Sequence, residues 1–172
     1  MTKKWTRLER ILQLESAWVT VYADKLLDDS GRELEYWHCD RADSAVVLAI
    51  QGDYFLLPAE QYRVGVEEVM LDFAGSRIGP DVEPSQAAMQ VIQRELQIEA
   101  SDIEKLEPLT DGPLAVDSSF SSQKLHGFVA RIRPGAQISA DVHKYKLDEA
   151  KRLRGDLRCV QCRLLLDEFL LK

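Results

Sequence analysis

No apolar run in this 172-residue chain is long enough to span a bilayer. The longest, such as Ala-Val-Val-Leu-Ala-Ile at 45–50 and Leu-Leu-Leu at 164–166, fall far short of the roughly 20 residues a membrane helix needs. An excess of basic charge is missing too. With 22 Lys and Arg against 29 Asp and Glu, the chain carries a formal charge of −7. That balance argues against nucleic acid or an anionic membrane as the main partner. Cysteine is scarce: Cys39, Cys159 and Cys162 are an odd set, which fits reduced thiols better than a disulfide framework. Repeats, low-complexity tracts and Pro/Gly-rich linkers are absent. The first residues carry Arg7, Glu9 and Arg10 where a signal peptide would need an apolar stretch. These absences together lead us to expect a cytoplasmic protein with one real hydrophobic core.

What is present is a mixed pattern. Residues 18–28, WVTVYADKLLD, alternate apolar and polar as a half-buried strand does, and Asp28–Glu33 reads as a turn into a returning strand, LEYWHCDR. SAVVLAIQGDYFLLPAEQYR follows as two apolar strands joined at Gln51-Gly52-Asp53, and EEVMLDFAG at 67–75 as a strand ending at a glycine. EPSQAAMQVIQRELQIEA is the first convincing helix, with Pro84 suited to its first turn and Glu83 favourable beside the N-terminal dipole. DIEKLEPLT and LHGFVARIRP read as strands, and the chain from Tyr145 onward as helical. The expected class is α+β, helices packed on a sheet.

On a helical wheel of residues 87–99, Ala87, Ala88, Val91, Ile92, Leu96 and Ile98 share one side. Glu95 and Glu99 fall within that apolar arc. Spaced i and i+4, their carboxylates can meet, and such a pair wants a cation, donors or protons. The alternative is a helix that ends before Glu99. Cys159 and Cys162 form a CxxC in a strongly helical stretch, with no preceding strand or second CxxC, so two packed thiols outweigh a zinc or redox role.

The order of elements resembles the Nudix hydrolase superfamily, in its ADP-ribose and ADP-sugar pyrophosphatase branch. The resemblance rests on residues 18–135: LEYWHCDRADSAVVLAI for the second and central strands, LLPAEQYRVGVEEVMLDFAG with Gln61-Tyr62-Arg63 and Ala74-Gly75 kept, and SSFSSQKLHGFVARI for a late strand. The resemblance implies a Nudix fold and metal-dependent phosphoanhydride hydrolysis by glutamates of a loop–helix–loop motif, G-x5-E-x7-R-E-U-x-E-E-x-G-U with U a bulky apolar residue. Here that motif is degraded. With Ala87-Ala88 aligned to the family's Ala-Ala, the motif arginine and first helix glutamate become Gln90 and Val91. The Glu-Glu pair becomes Arg94-Glu95, the final glycine Gln97 and the loop glutamate Val82. Aligning Arg94-Glu95-Leu96 with R-E-U instead keeps two helix acids, but needs five extra residues; the first register needs one.

The resemblance therefore implies Glu95 and Glu99 as catalytic acids, with Glu83 or Asp81 completing a Mg2+ or Mn2+ site, and Arg63, Gly75 and Arg94 against the substrate. The implied substrate is a nucleoside diphosphate derivative resembling ADP-ribose. The losses imply weak or absent hydrolysis, the alternative being a non-catalytic nucleotide-binding or protein-interaction module. A late-loop acid is sought among Asp141, Asp148 and Glu149, beside His143. Residues 1–43 add a hairpin ahead of the Nudix-fold domain at 44–172, and such an extension implies a homodimer, with Trp18, Tyr36 and Trp37 as interface aromatics.

Overall fold

A computed structural model describes residues 4–172 and divides into two compact units. The first runs to Ala42 and takes in Ala115–Lys124; the second is Asp43–Leu114 with Leu125–Lys172. The first three residues of the extension expected at 1–43 lie outside the described residues.

The first unit is a three-stranded antiparallel sheet, β1 (Thr6–Glu15), β2 (Thr20–Leu27) and β3 (Glu33–Asp40), in that order. The hairpin of β2 and β3 turns at Gly31, whose φ of 86° suits a residue without Cβ. Strand β1 is new relative to the sequence reading. Its pairing with β2 shifts register between Arg7 and Glu9 and again between Arg10 and Leu12, and these bulges break the alternation that would reveal a strand. At its heart Asp24 is buried, bound by the Arg10 guanidinium and by His38 Nε2 at 2.9 Å. The Arg10 guanidinium also stacks 3.8 Å from the Tyr22 ring centre. Burial pushes the Asp24 carboxyl up, but the bonds from Arg10 and His38 outweigh it and hold it below the ordinary carboxylate range. A depressed folded-state pKa contributes stability above the unfolded-state value and loses it as pH falls through the folded-state value. Asp24→Asn is therefore expected to melt lower than wild type at pH 7, with the gap closing as the pH falls below about 4. A gap in melting temperature that stays constant from pH 7 to pH 3 would contradict this.

The second unit is built on a mixed sheet whose centre is β4 (Ser44–Gln51), buried over nearly its whole length. β4 runs parallel to β11 (Lys124–Ile132) and antiparallel to β5 (Tyr54–Leu57) and β8 (Ala74–Arg77). β9 (Ile103–Pro108), β10 (Leu114–Ala115) and β12 (His143–Lys146) complete the seven strands, and β6 (Gln61–Arg63) and β7 (Glu68–Met70) form a separate small ribbon. A strand covered on both faces reads as a continuous apolar run, and β4 is one. Ala45, Val47 and Ala49 face α1 (Pro84–Val91), packing with Ala87, Ala88, Val91 and Ile92. Val46, Leu48 and Ile50 face the other way, onto Leu153 of α2 (Ala150–Asp156) and Leu165 and Leu166 of α3 (Val160–Leu170). The side-chain period of two thus sorts one strand between two cores.

Three expectations change in detail. The strand expected over 67–75 is split: β7 ends at Met70, buried Leu71–Phe73 belong to no strand, and β8 begins at Ala74. The C-terminal region begins not with a helix but with β12, paired to β5. The helix over 84–100 stops early. After Val91 it widens into a single π turn, Ile92–Leu96, and ends at Gln97 with φ 56° and ψ 34°. A left-handed residue after a helix is usually glycine, since any Cβ crowds the following carbonyl. Gln97→Gly is accordingly expected to raise stability by roughly 0.5–1 kcal/mol, read from a denaturant midpoint. A loss of stability would show that Gln97 holds the turn by its side chain.

Candidate functional site

The early end of the helix decides where the predicted acids go. Glu95 sits in the π turn, its side chain only 15% exposed, and its Oε2 accepts the Gly75 backbone N–H at 3.1 Å. Gly75 packs tightly beside its β4 partner: a Cβ there would lie 3.3 Å from Val46 Cγ2. Arg94 closes the corner, its Nη2 donating to Glu95 Oε1 at 2.7 Å and to the Gly75 carbonyl at 3.4 Å. Gly75, Arg94 and Glu95 are thus brought together.

Glu99 does not join them. It lies beyond Gln97 in extended backbone, exposed, and accepts from Gln93 Nε2 at 3.2 Å. The i, i+4 convergence expected with Glu95 is lost because no regular helix connects the two. Glu83 is the exposed residue preceding Pro84 at the start of α1, and Asp81 is exposed in the turn before it. Among the described residues, Glu83, Glu95 and Glu99 form no cluster of three ligand atoms close enough to share an ion. The late acids are placed as plainly. Glu149 accepts the Lys146 backbone N–H and an Arg152 guanidinium bond, a local cap, while Asp141 and His143 are exposed.

Magnesium is held by several carboxylate or phosphate oxygens in octahedral geometry. This corner offers one carboxylate, and that one already faces a guanidinium and a backbone donor. The donor set does not fit the metal site the resemblance implied.

Arg63 makes none of the corner's hydrogen bonds, but it lines a cavity of about 280 Å³ together with Gly75. It ends β6 and binds buried Asp72 through Nε and Nη2, both 2.7 Å from Oδ2. Sequence reading did not single out Asp72, which hides inside an apolar stretch, MLDFAG; its burial is the missed signal. His126 was also not foreseen. Half-buried on β11 and 3.3 Å from Asp43 Oδ2, it helps line a cavity of about 420 Å³ with Ser85, Thr110 and Asp111.

No family model matches the chain, and no curated protein matches it. A solved structure does: the crystal structure of an ADP compounds hydrolase is similar with a TM-score of 0.83, over 99% of this chain and 95% of that one, at 20% identity. No helix among the described residues is long and apolar enough to cross a membrane. At that identity the likeness speaks for architecture rather than chemistry, and in architecture this chain has the α+β Nudix fold of an ADP compounds hydrolase.

Proposed function

We propose that the chain binds a nucleoside diphosphate compound of the ADP-ribose kind and hydrolyses it weakly or not at all. The observation that carries this is the state of Glu95: the one helix acid at the Gly75 corner is held by the Arg94 guanidinium at 2.7 Å. The register that leaves only this helix acid is supported by the left-handed backbone at Gln97, the position where the motif has its glycine. A guanidinium is a permanent cation with forked donors suited to phosphate oxygens. Arg94 is 57% exposed and commits only Nη2 to the bonds above, leaving Nε and Nη1 for an anion. It supplies attraction for phosphate, but cannot generate hydroxide as a bound metal does. Binding without cleavage follows.

The test is turnover of ADP-ribose with saturating Mg2+ or Mn2+, on wild type and Glu95→Gln. We expect no difference between the two above background. Metal-dependent turnover that Glu95→Gln abolishes would overturn the reading and show a working, rearranged metal site.

We further propose that the N-terminal unit makes a homodimer. β1 is exposed almost throughout, with Leu8, Ile11, Leu12 and Leu14 each more than 40% exposed, and Trp18 and Trp37 are exposed as well. Apolar exposure on an edge strand is a recurrent basis for association. Light scattering is expected to give twice the 19.6 kDa chain mass; a mass equal to one chain would defeat the proposal.

A further inference from the structure

The second unit contains a group of metal-ligating side chains that the nucleotide reading leaves unused. Cys159 is the extended residue that caps the N-terminus of α3, and Cys162 lies in its first turn. The two-residue spacing turns both sulfurs towards Asp72, in the buried segment between β7 and β8. Cys162 Sγ is 3.7 Å from Asp72 Oδ1, and one ligand atom from each of the three residues lies within 4.8 Å of the other two. Tetrahedral zinc, with bonds of about 2.3 Å to sulfur and 2.0 Å to oxygen, spaces its ligand atoms roughly 3.5–3.8 Å apart. One separation already has that value, and the 4.8 Å limit leaves the others at most about 1.3 Å too wide.

The surroundings orient these ligands. Arg63 grips Asp72 by Oδ2, leaving Oδ1 on the cysteine side. The Phe73 backbone N–H donates to Cys162 Sγ at 3.3 Å and helps fix the sulfur's position. Contacts of this kind hold the ligating atoms in place in metal sites. Charge closes as well: two thiolates and a carboxylate against a guanidinium and a dication leave no net charge in a poorly hydrated place. A merely packed thiol pair has no need of a buried carboxylate beside it.

We propose that Asp72, Cys159 and Cys162 bind one zinc ion, with its fourth position open to the adjoining cavity. That cavity, about 280 Å³, is also lined by Arg63, Arg77 and Gln161. Two sulfurs and one oxygen, with no octahedral oxygen set, select zinc over magnesium. The open fourth position admits water or a small anionic ligand, as three-ligand zinc sites do.

The test uses the full chain, stripped by chelator and kept reduced, titrated with Zn2+ against a chromophoric chelator. One equivalent is expected to bind with a Kd of micromolar or tighter. Cys159→Ser and Cys162→Ser are each expected to weaken binding at least about 100-fold, and Asp72→Asn at least about tenfold, while Cys39→Ser leaves it unchanged. Cobalt in place of zinc gives a second readout: a thiolate-to-cobalt charge-transfer band in wild type, weakened in the Cys159 variant and lost in the Cys159/Cys162 double variant, each variant keeping the wild-type far-UV circular dichroism. Wild type that shows no such band, or that binds zinc no more tightly than the Cys159/Cys162 double variant, would overturn the site. So would a wild type whose two thiols close to a disulfide in air equally fast with and without zinc.

Discussion

Arg94→Glu is expected to raise the affinity of the Gly75–Glu95 corner for Mn2+ by at least about tenfold. The substitution removes a cation whose Nη2 lies 2.7 Å from Glu95 Oε1 and places a second carboxylate beside the first. Unit charges 4 Å apart interact by about 4 kcal/mol at an effective dielectric of 20. Arg94 is more than half exposed, so water and salt screen most of that. Even a third of it, about 1.4 kcal/mol, is tenfold in affinity. Glu95 keeps its bond from the Gly75 N–H and so stays aimed at the corner. Calorimetric titration of Mn2+ into wild type, Arg94→Glu and Arg94→Glu/Glu95→Gln reads the effect. The gain should appear in the single variant and vanish in the double. Equal affinities in all three would mean that Glu95 is not available to an ion, with or without Arg94.

The largest stability effects are expected where α3 lies on the sheet. Leu165 is fully buried, and its Cδ2 sits 2.3 Å from where a Cβ on Gly127 would be. Gly127 lies on β11 at a point where the helix takes the room a side chain would fill. Leu165→Ala should cost about 2–5 kcal/mol by removing buried methyl groups and leaving a cavity. Gly127→Ala should cost about 1–3 kcal/mol by forcing a packed leucine out of its rotamer. The two changes share one space, so they are not additive. The double variant is expected to be more stable than the sum of the single losses by about 1 kcal/mol or more. Urea unfolding of the four proteins measures the cycle, and strict additivity would show that the helix shifts instead of Leu165.

The fold was legible in the sequence where one physical rule dominated. β4 reads as an unbroken apolar run because it is covered on both faces; the β4–β5 turn reads from Gly52, whose φ is 54°. The start of α1 reads from Pro84. The pattern failed where geometry departs from the regular period. Two register shifts disguise β1. The helix end carries glutamine where the backbone asks for glycine, so nothing in the sequence marks it. That one unmarked turn moved Glu99 out of the predicted pair. Arg94 and Glu95 were equally hidden as partners, because consecutive residues on a regular α-helix do not face each other; they meet in the π turn. Asp72 was lost among apolar neighbours, and only the folded chain sets it between Arg63 and Cys162.

Under the proposed function, phosphate recognition rests on the Arg94 guanidinium and not on a metal ion. Calorimetric titration of ADP-ribose into the wild-type protein in chelator, repeated with Mg2+, tests it most directly. Binding in chelator is expected, unchanged within error by Mg2+ and weakened about tenfold, the 1.4 kcal/mol of one charge-assisted bond, by Arg94→Ala. Binding that appears only when Mg2+ is added, or no binding under either condition, would contradict it.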